Sequence, residues 1–161
     1  MPFISSRKDA ENLTMTLVAE FDANVERVWQ IWEDPRQLER WWGPPTWPAT
    51  FDSHDFVPGG RASYYMTGPD GEKAAGWWLF TDISAPTTLS FDDGFDDDSG
   101  NPSSTMPVTH ATATLDDLDG RTRMTIRSRF DSLEQLEQLV EMGMDEGMAL
   151  ALGQIDAIVA D

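Results

Sequence analysis

The 161-residue sequence predicts an α+β domain in which a curved antiparallel sheet wraps around a long C-terminal helix, with two short helices after the first strand. Three observations predict it. From Arg121 to Phe130 the chain alternates strictly: Arg121, Arg123, Arg127 and Arg129 share one face, and Thr122, Met124, Ile126, Ser128 and Phe130 the other. Such a strand is wet on one side and packed on the other. Beyond it, Leu136, Val140, Met144, Met148, Leu152, Ile155 and Val159 form one apolar stripe at helical spacing. Between residues 50 and 115 several short β-rich runs are separated by Gly- and Pro-containing turns.

The elements follow in order. Residues 1–12 read as an N-terminal extension and 13–161 as a single domain. Leu13 to Phe21 is the first strand. Asp22 or Asn24 caps a helix carrying Val25, Val28, Trp29 and Trp32. Asp34-Pro35 ends it and opens a second helix with Leu38, Trp41 and Trp42 on its apolar side, stopped by Gly43-Pro44-Pro45. Strands are expected at Thr50 to Phe56, Arg61 to Thr67, Ala75 to Ile83 and Leu89 to Phe91, with turns at Pro58-Gly59-Gly60, Gly68 to Gly71 and Ala85-Pro86. The acidic, Gly/Ser-rich run Asp92 to Ser104 reads as an exposed loop. Met106 to Leu115 is the hairpin partner of the arginine-faced strand. Asp131 or Ser132 then caps a helix to about Val159, which at about 1.5 Å per residue spans roughly 40 Å. Gly143, Gly147 and Gly153 each weaken that helix by about 1 kcal/mol relative to alanine, which suggests a close approach or an indentation.

Composition excludes several classes of function. There are no cysteines, so disulfides, thiolate metal sites and a cysteine nucleophile are absent. Net charge is −18, from 29 acidic and 11 basic residues, a field that repels nucleic acid and anionic bilayers. No apolar run is long enough to span a membrane and the N-terminus does not read as a signal peptide, so the expected location is the cytoplasm, without stable membrane association. His54 and His110 are the only histidines and have no partner at metal-ligand spacing, so no metal and no cofactor are expected. The run Asp92, Asp93, Asp96, Asp97, Asp98 lacks the spacing of a calcium loop. Gly59-Gly60 and Gly68 to Gly71 are turns, because neither precedes a helix as a phosphate cradle would. The four strand arginines are expected to pair with carboxylates across strands.

The run Val28-Trp29-Gln30-Ile31-Trp32-Glu33-Asp34-Pro35, followed by Leu38-Glu39-Arg40-Trp41-Trp42-Gly43-Pro44, resembles the opening of homologues of the activator of the ninety-kilodalton heat-shock-protein ATPase. Pro58-Gly59-Gly60-Arg61, Pro69-Asp70-Gly71, Asp82-Ile83 with Pro86 and Leu89, and Gly120 to Met124 continue the pattern in order, so the resemblance covers roughly Leu13 to Val159. The family belongs to the START-like (SRPBCC) superfamily with the helix-grip fold. The resemblance implies a cavity between sheet and C-terminal helix that receives lipids, polyketides or other apolar molecules. It implies no single reaction. The family usually carries a Gly-Trp pair where this chain has Gly147-Met148, and methionine makes a softer wall there.

On that reading Trp32, Trp41, Tyr64, Met66, Trp78, Phe91, Met124, Ile126, Met144, Met148 and Leu152 are candidate cavity residues, with His110 as a polar anchor or general base. The plainer reading of each aromatic or methionine is core packing. The function expected is a carrier or sensor of a small apolar molecule. The alternatives are a cavity-based cyclase or hydrolase in which His110 or an acid near Asp55 moves protons, and a co-chaperone-like interaction domain. Pairing into a homodimer is compatible with all three.

Overall fold

In a computed structural model, residues 3–97, 101–103 and 106–160 are described, with side chains from Ser5 onward. The strands are β1 (Phe3–Asp9), β2 (Thr14–Phe21), β3 (Ala49–His54), β4 (Arg61–Thr67), β5 (Lys73–Ser84), β6 (Thr88–Phe95), β7 (Thr109–Leu118) and β8 (Arg121–Arg129). They form one curved antiparallel sheet in the order β1-β2-β8-β7-β6-β5-β4-β3. The helices α1 (Val25–Glu33) and α2 (Pro35–Trp41) carry the chain from β2 to the far edge at β3, and the remaining strands run back as a meander until β8 pairs with β2. The helix-grip fold expected from the sequence is present. Among the described residues no helix is long and apolar enough to cross a membrane.

Local chemistry accounts for the helix starts. The Asn24 side chain accepts the Arg27 amide at 2.9 Å, and Asp34 accepts the Arg36 amide at 2.9 Å with Pro35 in the first turn. Ser132 accepts the Gln135 amide at 3.2 Å to open α3 (Leu133–Glu141). The expected single C-terminal helix is broken into α3, α4 (Met144–Leu152) and α5 (Ile155–Val159). Gly143 sits at φ +86, a left-handed conformation that glycine adopts without steric cost, and this turn ends one axis and starts another.

Two further boundaries differ from expectation. Residues 3–9, read as part of an extension, add an edge strand to β2. The run expected to be a loop from Asp92 is strand as far as Phe95, because β6 continues pairing with β5 through Phe95–Gly76. Residues 98–100 and 104 of that run lie outside the described residues.

The core is an aromatic block on the concave face. Trp32 and Trp41 meet edge to face at 4.9 Å, Trp42 and Trp78 at 4.7 Å, and Trp78 stacks on Phe91 at 4.2 Å. The Trp41 indole donates to the Ile31 carbonyl at 3.0 Å, and the Trp32 indole to the Met124 sulfur at 3.3 Å. Segment α5 seals this block against α1 and α2, its Ile155 and Ile158 fully buried. Segment α4 lies instead toward β1 and β2 and leaves Leu150 57% exposed. Because Trp32 is wholly buried among four other rings, Trp32→Ala is expected to cost about 3–5 kcal/mol in urea unfolding. A cost below about 1 kcal/mol would show that the block is not close-packed.

Candidate functional site

The break at Gly143 leaves space. A pocket of about 300 Å³ lies between the concave sheet face and the α3–α4 segment. Phe91, Ala111, Ile126 and Ser128 form its floor on β6, β7 and β8. Tyr64 and Met66 of β4, with Trp42, Pro44 and Trp47 from the turn after α2, form one wall. Met142, Met144, Gly147, Met148 and Ala151 cover it. A Cβ added at Gly147 would meet nothing within 4 Å, so this glycine borders open volume.

Of the residues singled out from the sequence, the structure brings Tyr64, Met66, Phe91, Ile126, Met144 and Met148 together around this pocket. Trp32, Trp41, Trp78, Met124 and Leu152 do not line it; they are at most 1% exposed and belong to the packed core. For Trp32, Trp41, Trp78 and Met124 this follows from direct packing: Trp32 of α1 meets Trp41, Trp78 and the Met124 sulfur without a gap. His110 also lies elsewhere. Its neighbours Thr109 and Ala111 face inward, so alternation turns the imidazole to the convex face. There Nδ1 meets Asp92 at 2.7 Å and Nε2 meets Asp131 at 3.1 Å, tying β6 and β7 to the turn before α3. His54 Nε2 bonds the Trp32 carbonyl at 2.9 Å on β3. Asp55 sits where β3 ends, its carbonyl closing against Gly60. The arginine stripe pairs across strands in part: Arg123 holds Glu20 of β2 at 2.9 Å with Arg121 3.7 Å from the same carboxylate, whereas Arg129 meets the sequence-local Asp131 at 3.7 Å.

The polar feature of the pocket is one that sequence reasoning missed. Asp93 follows Leu89 and Phe91 on the inward side of β6, so its carboxyl enters the pocket wall. The Tyr64 hydroxyl donates to it at 3.0 Å across β4, β5 and β6. Gly76 of β5 makes that reach feasible, since a Cβ there would lie 2.7 Å from the Tyr64 ring and hydroxyl. The Tyr64 ring is further held by stacking on Phe51 at 5.1 Å. Burial pushes the Asp93 pKa up to about 7, although Tyr64 and the nearby Trp78 indole both favour the carboxylate. Burial, reinforced by Asp93, raises the Tyr64 pKa well above that of a free phenol. Thr109 and Ser128 add two buried hydroxyls. Among the described residues no lysine, arginine or histidine lines the pocket. Alternation across Leu89-x-Phe91-x-Asp93-x-Phe95 carried the signal; the acidic composition of the run concealed it.

Comparison with known proteins places this geometry in a family. Residues 22–160 match the family described as activator of Hsp90 ATPase homolog 1-like protein. The chain belongs to this family. A solution structure of a protein from Arthrobacter aurescens is similar at 62% identity and a TM-score of 0.94, covering 98% of this chain and 91% of that one. A crystal structure of a Mycobacterium smegmatis protein is 48% identical with a TM-score of 0.90, over 98% and 96% of the two chains. The family's fold persists at lower identity: a Silicibacter pomeroyi protein shares 21% identity, with a TM-score of 0.73 over 91% of this chain and 97% of that one. Among curated proteins none matches.

A carboxyl whose folded pKa exceeds its unfolded value near 3.8 favours the folded state when protonated. Stability therefore falls as pH rises between about 4 and 7, and the penalty is complete above about 7. Asp93→Asn removes it. The variant is expected to match the parent near pH 3.5, below the unfolded carboxyl value, and to exceed it near pH 8 by on the order of 1–2 kcal/mol, the full shift being discounted for water entering the pocket. Parallel stability curves from calorimetry at both pH values would place Asp93 in the ordinary carboxylate range.

Proposed function

We propose that this chain binds a small, largely apolar molecule in the pocket beneath α4 and acts as a carrier or sensor for it. The observation that carries this reading is a space of about 300 Å³ whose walls are aromatic, aliphatic and methionine side chains, with polar groups confined to Tyr64, Asp93, Thr109 and Ser128. Small-molecule sites have this character: an apolar surround with a few placed polar atoms. A space left unfilled costs about 24 cal/mol per Å³ of cavity, which favours an occupant. Met66, Met144 and Met148 give the walls adaptable side chains suited to an irregular ligand.

A second reading has one observation in its favour. Asp93 combines an elevated pKa near 7 with a position on the pocket surface, the requirements of a general acid or base acting on a bound molecule. The cyclase-type alternative thus rests on Asp93 and Tyr64, since His110 lies on the opposite face of the sheet.

Native mass spectrometry of protein purified gently from its own host is expected to show a retained small molecule. Gly147→Leu is expected to place an isobutyl group in the pocket and to raise helix propensity by about 1 kcal/mol, so the variant keeps or gains thermal stability while losing the adduct. Retention of the same molecule by Gly147→Leu at parental occupancy would move the binding site elsewhere.

A further inference from the structure

The polar end of the pocket has one sign. Asp93 projects into a lining whose other described members are neutral, and the described cations lie outside it. Arg27 binds the Ile158 carbonyl and Gln37, Arg36 binds the Phe51 carbonyl, Arg61 lies over Trp77, and Lys73 over Tyr65. The side chains outside the described residues include no lysine, arginine or histidine. Among the described residues Tyr64 is the sole other titratable group in the lining, and its hydroxyl already donates a hydrogen bond to Asp93. That bond falls on Oδ1 of the carboxyl; among the described residues no side chain is hydrogen-bonded to Oδ2, and the indole N–H of Trp78 beside the carboxyl is itself unpartnered. A buried carboxylate without a counter-ion is costly, so an occupant that supplies a cationic donor is favoured over one that supplies a second anion.

The surrounding walls favour the same charge. Trp42, Trp47, Tyr64, Phe91 and Phe95 line the space, and aromatic faces attract ammonium groups, more strongly once water is excluded. At the same site the carboxylate head of a fatty acid would meet Asp93 with no positive group to hold it.

We infer that the occupant of this pocket is a hydrophobic amine, its protonated nitrogen bonded to the free oxygen of the Asp93 carboxylate and its aryl or alkyl body lying between the aromatic wall and the methionines of α4. This deepens the ligand-binding reading and rests on it. Tyr64 positions the carboxylate through its hydrogen bond and leaves the second oxygen for the ligand. The site thereby selects against fatty acids and other anionic amphiphiles, the ligands to which an apolar cavity alone would be open.

The test uses three probes with one apolar body: phenylbutylamine, phenylbutanol and phenylbutyrate, titrated by calorimetry into the full chain near pH 8. The amine is expected to bind at least about tenfold more tightly than the carboxylate, with the alcohol between them. The order should persist at high salt, since the general field of a chain of net charge −18 is screened whereas a buried contact is not. In Asp93→Asn the three affinities are expected to converge. Should that variant fold poorly, the parent near pH 5.5 serves instead, because protonating Asp93 weakens the amine and leaves the alcohol unchanged. Equal binding of all three, or tighter binding of phenylbutyrate, overturns the amine assignment and leaves the pocket a general apolar site. Failure of all three to bind overturns the pocket reading itself, and the amine assignment with it.

Discussion

An eight-stranded sheet has to be covered on its concave side, and one helix cannot do it. Strands spaced about 4.8 Å apart make a surface on the order of 35 Å across, against a helix diameter of about 10–12 Å. Curvature reduces the mismatch, and three groups of side chains fill most of the remainder. The tryptophans of α1 and α2 close one half of the hollow with interlocked rings that meet Trp78 of β5, and α5 packs against both helices. The other half is left to α4. Because the chain turns at Gly143 and α4 carries short or flexible side chains, that half is roofed without being filled. The pocket is the residue of this arithmetic: close packing where the aromatics are, space where glycine, alanine and methionine take over.

The same division explains where a carboxyl can be buried. Asp93 lies at the boundary between the solid aromatic block and the open half, near Trp78 on one side and bordering the void on the other. Set deeper in the block it would have no room for a partner of its own charge requirement; set on the convex face, as Asp92 is, it would be an ordinary surface group paired with His110. Tyr64 reaches it because β5 carries glycine at position 76 between the two strands. Three strands therefore cooperate to hold one oxygen of this carboxyl at the edge of the void.

Most of the architecture was legible in the chain because it is written in periodicity. The strict alternation of Arg121 to Phe130 gave the face of β8 residue by residue, and the Asn24, Asp34 and Ser132 caps marked three helix starts. The continuity of the last helix was not legible, since the apolar stripe runs unbroken through a turn that only the backbone of Gly143 reveals. The site was half legible. Large apolar residues at inward positions are equivalent in sequence whether they pack or line space, so Trp32 and Trp78 could not be told from Tyr64 and Phe91. His110 was misplaced by one position of alternation, and Asp93 was concealed by the acidic residues that follow it.

The central claim is that the space beneath α4 admits a molecule while the aromatic block does not. Methionine-methyl NMR tests it directly, because methionines stand on both sides of the boundary. With methyl-labelled protein and a neutral probe such as benzyl alcohol, the methyl resonances of Met66, Met144 and Met148 should shift together and saturate, while those of the fully buried Met15 and Met124 stay fixed. Uniform small shifts at all of these methyls, or a response confined to Met15 and Met124, would contradict the account.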